Sequence, residues 1–353
     1  MELKEVLMKL SDAYGVSGHE VNSAELVKTL FEGLYDEIRV DRMGSVIMLK
    51  RGKDPGAAKI MLAAHYDEIG MIVKRIEKGG FIRVTQVGGI DQRILPSMEV
   101  VVHGRKDVFG VFSACPPHLQ TDEDRKKAWK MEELVIDCGY DEEALRKIVR
   151  VGDIVSFRRS CMELANGRIS GKSMDDRCCL GAIWECASEL SRMEHDADVY
   201  YVATVQEEVT YGGGLTATFG IMPDIGIAVD VGFATMPGVS EDDGDKMGEG
   251  PCAEKAPDVN PKVFELIKKT AADRGINLQV SVSGRPGGTD AFPMQTTGAG
   301  VATAILGVPV RYMHTSVETL EIEDVKKCGR LMAHFCASVD RGFREGLTCC
   351  LKG

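Results

Sequence analysis

Long apolar runs are missing from this sequence. No uninterrupted stretch approaches the roughly 20 residues a membrane-crossing helix needs, which excludes a helical membrane protein. The opening Met1-Glu2-Leu3-Lys4-Glu5 is charged and leads into no apolar segment, unlike a secretory signal. Basic residues are outnumbered, 43 Lys and Arg against 54 Asp and Glu, and the net charge of −11 argues against a nucleic-acid partner. No Cys-x-x-Cys spacing occurs among the 11 cysteines, so zinc-ribbon and dithiol redox motifs are absent. The cysteines are scattered, with adjacent pairs at Cys178-Cys179 and Cys349-Cys350. They read as reduced thiols of a cytoplasmic protein, many of them small core hydrophobes. Internal repeats and low-complexity segments are also lacking.

What is present is an α/β rhythm interrupted once. The 353 residues suffice for two domains, and a 44% hydrophobic content supports a sizeable core. Leu3, Val6, Leu7 and Leu10 recur at helical spacing, as do Leu26, Val27, Leu30, Phe31 and Leu34. Strands are predicted at 38–40, 46–49 and 59–64, the last a continuous apolar run suited to burial on both faces. From about Gly70 to Ser160 short alternating stretches are separated by turn signals such as Gly79-Gly80 and Gly88-Gly89. This segment reads as a small β-rich, barrel-like domain, with 121–131 a solvated loop. The rhythm then returns. Helices are predicted over about 176–193, over 261–275 and along the face Ile322, Val325, Met332, Phe335 and Val339. Strands are predicted at 198–205, 225–229, 278–282 and 301–308. The predicted architecture is an α/β domain with a mixed or parallel sheet and helices on both faces, residues 1–69 and 161–353, interrupted by an inserted β domain, residues 70–160.

Polar residues stand where the apolar strands end, the edge at which open α/β sheets place their sites. His65 and Asp67 are two apart, so an imidazole could bind a metal while the carboxylate orients it, or the Asp could simply satisfy the His. Asp175-Asp176 opens a helix, where two carboxylates could equally cap it. Glu207-Glu208 follows Val202–Gln206 and precedes a predicted Gly212-Gly213-Gly214 turn. Adjacent carboxylates point differently, so one could serve a metal and the other a base, or both could form a solvated turn. Asp230 follows Ile227-Ala228-Val229 as turn former or ligand, and His314 follows 308–313 as structural imidazole or ligand. Together the set has the nitrogen and oxygen donors suited to paired Zn²⁺, Co²⁺ or Mn²⁺. Asp175 as bridge, His65, Asp230, Glu208 and His314 as terminal ligands and Glu207 as base would complete a two-metal hydrolase.

Several segments resemble the M42 metallopeptidases, which include glutamyl and deblocking aminopeptidases and relatives labelled endoglucanases. They are Gly15–Glu20, Ala64–Gly70, Met174–Arg177, Val202–Val209, Ala228–Asp230, Gly287–Ala291 and Arg311–His314, in the family's order along nearly the whole chain. The resemblance implies a metal-dependent aminopeptidase acting on peptides. His65 and Asp230 would hold one metal and Glu208 and His314 the other, with Asp175 bridging, Glu207 as general base and Asp67 supporting His65. It further implies a β-barrel or PDZ-like insertion, a cis peptide between Asp175 and Asp176, and homo-oligomers from dimers to twelve-subunit particles. The segment 231–238, Cys178-Cys179 and Thr210-Tyr211 depart from the usual pattern without removing a ligand, and bear on substrate preference. Other readings are a carboxypeptidase or deacylase on the same ligands, a glycosidase, and a non-catalytic scaffold.

Overall fold

The computed structural model describes residues 1–240 and 242–347; the Cys349-Cys350 pair lies outside them. The apolar run Lys59–His65 lies inside an eight-stranded mixed sheet. Residues 60 to 65 are all buried, and since neighbours on a strand face opposite ways, both faces are covered. Across the sheet the order is Glu37–Val40, Val46–Lys50, Asp198–Thr204, Lys59–His65, Ile225–Phe233, Ala302–Val310, Cys252–Lys255 and Gln279–Val282. Asp198–Thr204, Lys59–His65, Ile225–Phe233 and Ala302–Val310 run parallel. Thr204 stands opposite His65, and Ala228 opposite Ala63. Their carboxyl ends therefore come out side by side on one edge.

Helix Met174–Leu190 packs on Ile322–Ser338, on Leu3–Asp12 and on the strand Lys59–His65. Helix Gly212–Ile221 touches that strand too, with Thr218 against the sulfur of Met61. Local chemistry sets the boundaries: Asn260 caps the N–H groups of Lys262 and Val263, and Pro261 opens helix Pro261–Asp273 where no donor is needed.

The inserted segment closes a six-stranded barrel in the ring order Gly70–Ile76, Phe81–Val87, Ile136–Asp137, Asp107–Phe112, Glu99–His103 and Ile154–Phe157. It carries a core of its own, including Val73, Ile82, Val100, Phe112 and Val155. The stretch 121–131 crosses the surface in short 3-10 turns.

Several expectations are corrected. The second helix is Val21–Leu30, and Phe31 is its C-cap. Gly212-Gly213-Gly214 begins a helix, not a turn: a Cβ at Gly213 would stand 2.4 Å from the Val205 backbone, so the glycines permit close helix-to-strand approach. Asp175 and Asp176, joined by a cis peptide bond, are not seen capping Met174–Leu190: the Asp175 carboxylate faces His65 and His314, and Asp176 Oδ2 accepts the His65 backbone N–H. The strand bearing Asp230 continues to Phe233, kept in register by its pairing with Val310. Helix Glu142–Ile148 was not anticipated, since it buries only Leu145 and shows no apolar periodicity.

Candidate active site and metal centre

Every residue singled out at a strand end converges on one place. His65 ends its strand nearly solvent-free, 2% exposed. Its Nε2 lies 3.2 Å from Asp175 Oδ1 and 3.8 Å from Glu207 Oε2. Nδ1 faces Asp67 Oδ1 at 3.4 Å, long for a hydrogen bond. Asp67 also acts on the backbone, where its two oxygens accept the N–H groups of Glu207 and Glu208 at 3.1 and 3.3 Å. One buried carboxylate thus positions the imidazole and fixes where both glutamates start.

His314 approaches from the opposite side, Nε2 standing 3.2 Å from Asp175 Oδ2 and 3.5 Å from Glu208 Oε1. Its Nδ1 is 2.9 Å from the carbonyl oxygen of Gly89, at the rim of the barrel. A carbonyl only accepts, so Nδ1 carries a proton, and a cation that displaced the proton on Nε2 would meet an inward-facing lone pair. His65, Asp175 and Asp230 each offer a donor atom within 4.8 Å of the others, and so do Asp175, Glu208 and His314. Asp175 belongs to both groups.

The electrostatics test whether a cation suits the place. Burial opposes ionisation of Asp175, but hydrogen bonds to His314 and His65 hold its carboxyl well below the ordinary range. Burial and the neighbouring acids push Glu207 up to about 10 and Glu208 to about 7. Burial and Asp175 likewise raise Asp230 far above an ordinary carboxyl. The hydrogen bond to Asp175 lifts His314 to about 9, against the effect of burial. So much buried acid facing two imidazoles must take up protons or be met by positive charge. Two imidazoles with carboxylates are a donor set that suits a divalent zinc-like ion.

A third group, Asp176, Cys178 and Cys179, also clusters. Burial raises both thiols, so they stay protonated, and Asp176 Oδ2 accepts the His65 backbone N–H; this group packs the helix start.

Two acids were missed. Glu318, 2% exposed, accepts the backbone N–H of His314 at 2.7 Å and of Asp175 at 3.0 Å, joining both metal groups from beneath. It opens the short strand Glu318–Glu321, and nothing in the sequence around it marks it. Asp290, 3% exposed, accepts from Thr204 Oγ1 at 2.6 Å while Oδ1 has no partner. Its segment Gly287–Ala291 contributes to the family resemblance, which attaches no role to it.

A cavity of about 930 Å³ opens over the cluster, with His65, Asp175, Glu207, Glu208, Asp230 and His314 in its wall. A family model for M42 glutamyl aminopeptidases matches residues 44–331. The chain belongs to this M42 family. It is 38% identical over 328 residues to a lysyl aminopeptidase of Pyrococcus furiosus, covering 91% of this chain and 93% of that one. The structure of an aminopeptidase from the archaeon Desulfurococcus kamchatkensis superposes with a TM-score of 0.91 at 33% identity, covering 99% of each chain. A Pyrococcus horikoshii peptidase described as assembling into a tetrahedron or a large octahedral shell gives 0.85 at 30% identity, covering 96% of this chain and all of that one. M42 aminopeptidases are metallopeptidases, and the two donor groups of this M42 chain are candidate metal sites. Among the described residues no helix is long and apolar enough to cross a membrane.

Proposed function

We propose that this M42 protein is an aminopeptidase that removes residues from the N-termini of peptides with two divalent metal ions. The observation that carries the reading is the pair of donor groups sharing Asp175 beneath one cavity, with Glu207 beside them. His65 and Asp230 would hold one ion, Glu208 and His314 the other, and Asp175 both. When bound, zinc, cobalt or manganese supplies Lewis-acid charge that polarises the scissile carbonyl and acidifies water.

The chain's own residues do the rest. Glu207 lines the cavity with no hydrogen bond to its carboxylate from any described side chain, and positive charge held beside it would strip the proton that burial favours, leaving it to take one from the attacking water and deliver it to the departing amine. Asp67 holds the Glu207 and Glu208 backbone so that the proton acceptor and the ligand keep separate directions. Glu318 keeps His314 and Asp175 in place from below. A cavity carboxylate receives the substrate's α-ammonium, which confines cleavage to the first peptide bond.

The family model is named for glutamyl substrates and the Pyrococcus furiosus relative for lysyl ones, so the names leave the preferred residue open. We also propose that the chain divides into 1–69 with 161–353 and 70–160, and that it assembles as a homo-oligomer, as its Pyrococcus horikoshii relative does. All nine described cysteines are free thiols, which suits the cytoplasm.

The test is mass spectrometry of an unmodified peptide, its N-acetylated form and a C-terminal amide after incubation with metal-loaded protein. Stepwise loss of N-terminal residues from the free and amidated peptides, with the acetylated one intact, is expected. Shortening from the C-terminus would make it a carboxypeptidase, and release of acetate a deacylase. Chelator-resistant cleavage of cellulose would make it a glycosidase.

A further inference from the structure

The cavity extends well past the donor groups, and its far end has a different chemistry. Asp242, Asp243, Asp245 and Glu254 line it there, while Val280, Val282 and Ile305 give the wall an aliphatic stretch. Asp230 and Gly232 lie two apart on one strand, so they face the same side, roughly 7 Å along. Gly232 puts no side chain there. A Cβ on it would meet Asp245 Oδ2 and Cys252 Sγ at 3.4 Å, ordinary contact distance, so the Asp245 carboxylate lies directly beside this bare stretch of the face that carries Asp230.

Asp245 is fixed, since its N–H donates to Phe233 O and its carbonyl accepts from Thr235, both at 2.8 Å. Glu254 lies on Cys252–Lys255, one strand beyond Ala302–Val310, and Asp245 is close enough to disfavour its ionisation, after burial and Asp258. Arg285 is also in the wall, but it is exposed and has no ion-pair partner among the described residues. Four carboxylates against one guanidinium leave this end negative.

We propose that this end of the cavity holds the side chain of the substrate's first residue and selects lysine or arginine, with Asp245 and Glu254 as the selecting residues. The inference rests on the aminopeptidase reading. A basic side chain is amphipathic: an aliphatic stem needs an apolar wall, and the cationic head needs carboxylates beyond it. Here Ile305, paired opposite both Ala228 and Glu254, supplies apolar wall between the strand of Asp230 and the Glu254 carboxylate. An acidic first residue would meet like charge, and a purely aliphatic one would strand the carboxylates without a partner.

The experiment compares kcat/KM on lysyl, arginyl, leucyl and glutamyl chromogenic anilides, and separately the binding of lysinamide and leucinamide by calorimetry. It uses the metal-loaded protein and the variants Asp245→Asn and Glu254→Gln. Lysyl and arginyl substrates are expected to lead leucyl by at least about 10-fold, and each variant to cut that lead by about 10-fold with leucyl turnover nearly unchanged. Preference for leucyl or glutamyl substrates, or an equal loss on all substrates in the variants, overturns the proposal and leaves the aminopeptidase reading standing. Tighter binding of lysinamide that depends on Asp245, with no anilide hydrolysed, would sustain the basic pocket and overturn the hydrolase reading. Equal binding of the two amides with no hydrolysis overturns both.

Discussion

Glu207→Gln and Glu208→Gln are the same chemical change one residue apart, and the structure predicts opposite consequences. Both glutamates hang from Asp67 through backbone N–H groups, which neither substitution touches. Glu208 Oε1 lies in the donor group with Asp175 and His314, 3.5 Å from the imidazole. Glu207 is in neither donor group; the His65 imidazole lies 3.8 Å from its carboxylate. An amide at 207 keeps the shape and loses only the capacity to accept a proton. Loss of a general base costs about 10²–10⁴ in rate, which is roughly 3–5 kcal/mol of transition-state stabilisation. Glu207→Gln should therefore fall by that factor in kcat with both ions retained. Glu208→Gln should lose affinity for one ion and regain part of its activity in excess metal. Elemental mass spectrometry and turnover on one peptide, for each variant, decide the matter. A Glu207→Gln protein short of one ion beside a fully loaded Glu208→Gln would reverse the two roles, and unchanged turnover in both would refute the chemistry.

Other perturbations follow from the same contacts. Lys172 Nζ lies 2.7 Å from Glu68 Oε2 with both side chains buried, so Lys172→Met leaves that buried carboxylate with the Gly15 N–H, the Ser173 hydroxyl and, as its one cation among the described residues, Arg177 at 3.6 Å. It should cost about 3–5 kcal/mol in urea unfolding, and adding Glu68→Gln should recover part of that. Burial raises Glu20 from 4.5 to about 7, so the folded state holds its proton more tightly than the unfolded chain does. Stability should thus fall as pH rises from about 4.5 through 7, by at most about 3 kcal/mol, and Glu20→Gln should remove that slope because an amide does not titrate, while its oxygen can still accept from Gly18 and Gln206. Light scattering should find assemblies of at least two chains; a species with the mass of one chain alone at micromolar concentration would refute the homo-oligomer.

How much of this was legible depended on whether chemistry or three-dimensional contact sets the feature. Lys59–His65, Asp198–Thr204 and Ala302–Val310 are nearly continuous apolar runs, and a strand buried on both faces can hardly read otherwise. The polar residues that end them were visible for the same reason, as breaks in an apolar pattern. Short strands such as Ile136–Asp137 in the barrel and Cys252–Lys255 in the large sheet are too brief to establish a period. The glycines at 212–214 looked like a turn because nothing local reveals that the Val205 backbone crosses them. Glu318, Glu68 and Lys172 are the hardest kind: charged residues that ordinarily mark a surface, buried here because their partners arrive from more than 100 residues away or from a separate turn.

The central claim is that this fold carries a two-ion hydrolytic centre built on Asp175. It is tested most directly by measuring bound metal and peptide hydrolysis on the same sample as a chelator strips it. Two divalent ions per chain are expected, with activity vanishing as they leave and returning when zinc, cobalt or manganese is restored, and an Asp175→Ala protein should hold neither ion tightly. Full hydrolysis persisting in a sample with no bound metal would contradict it.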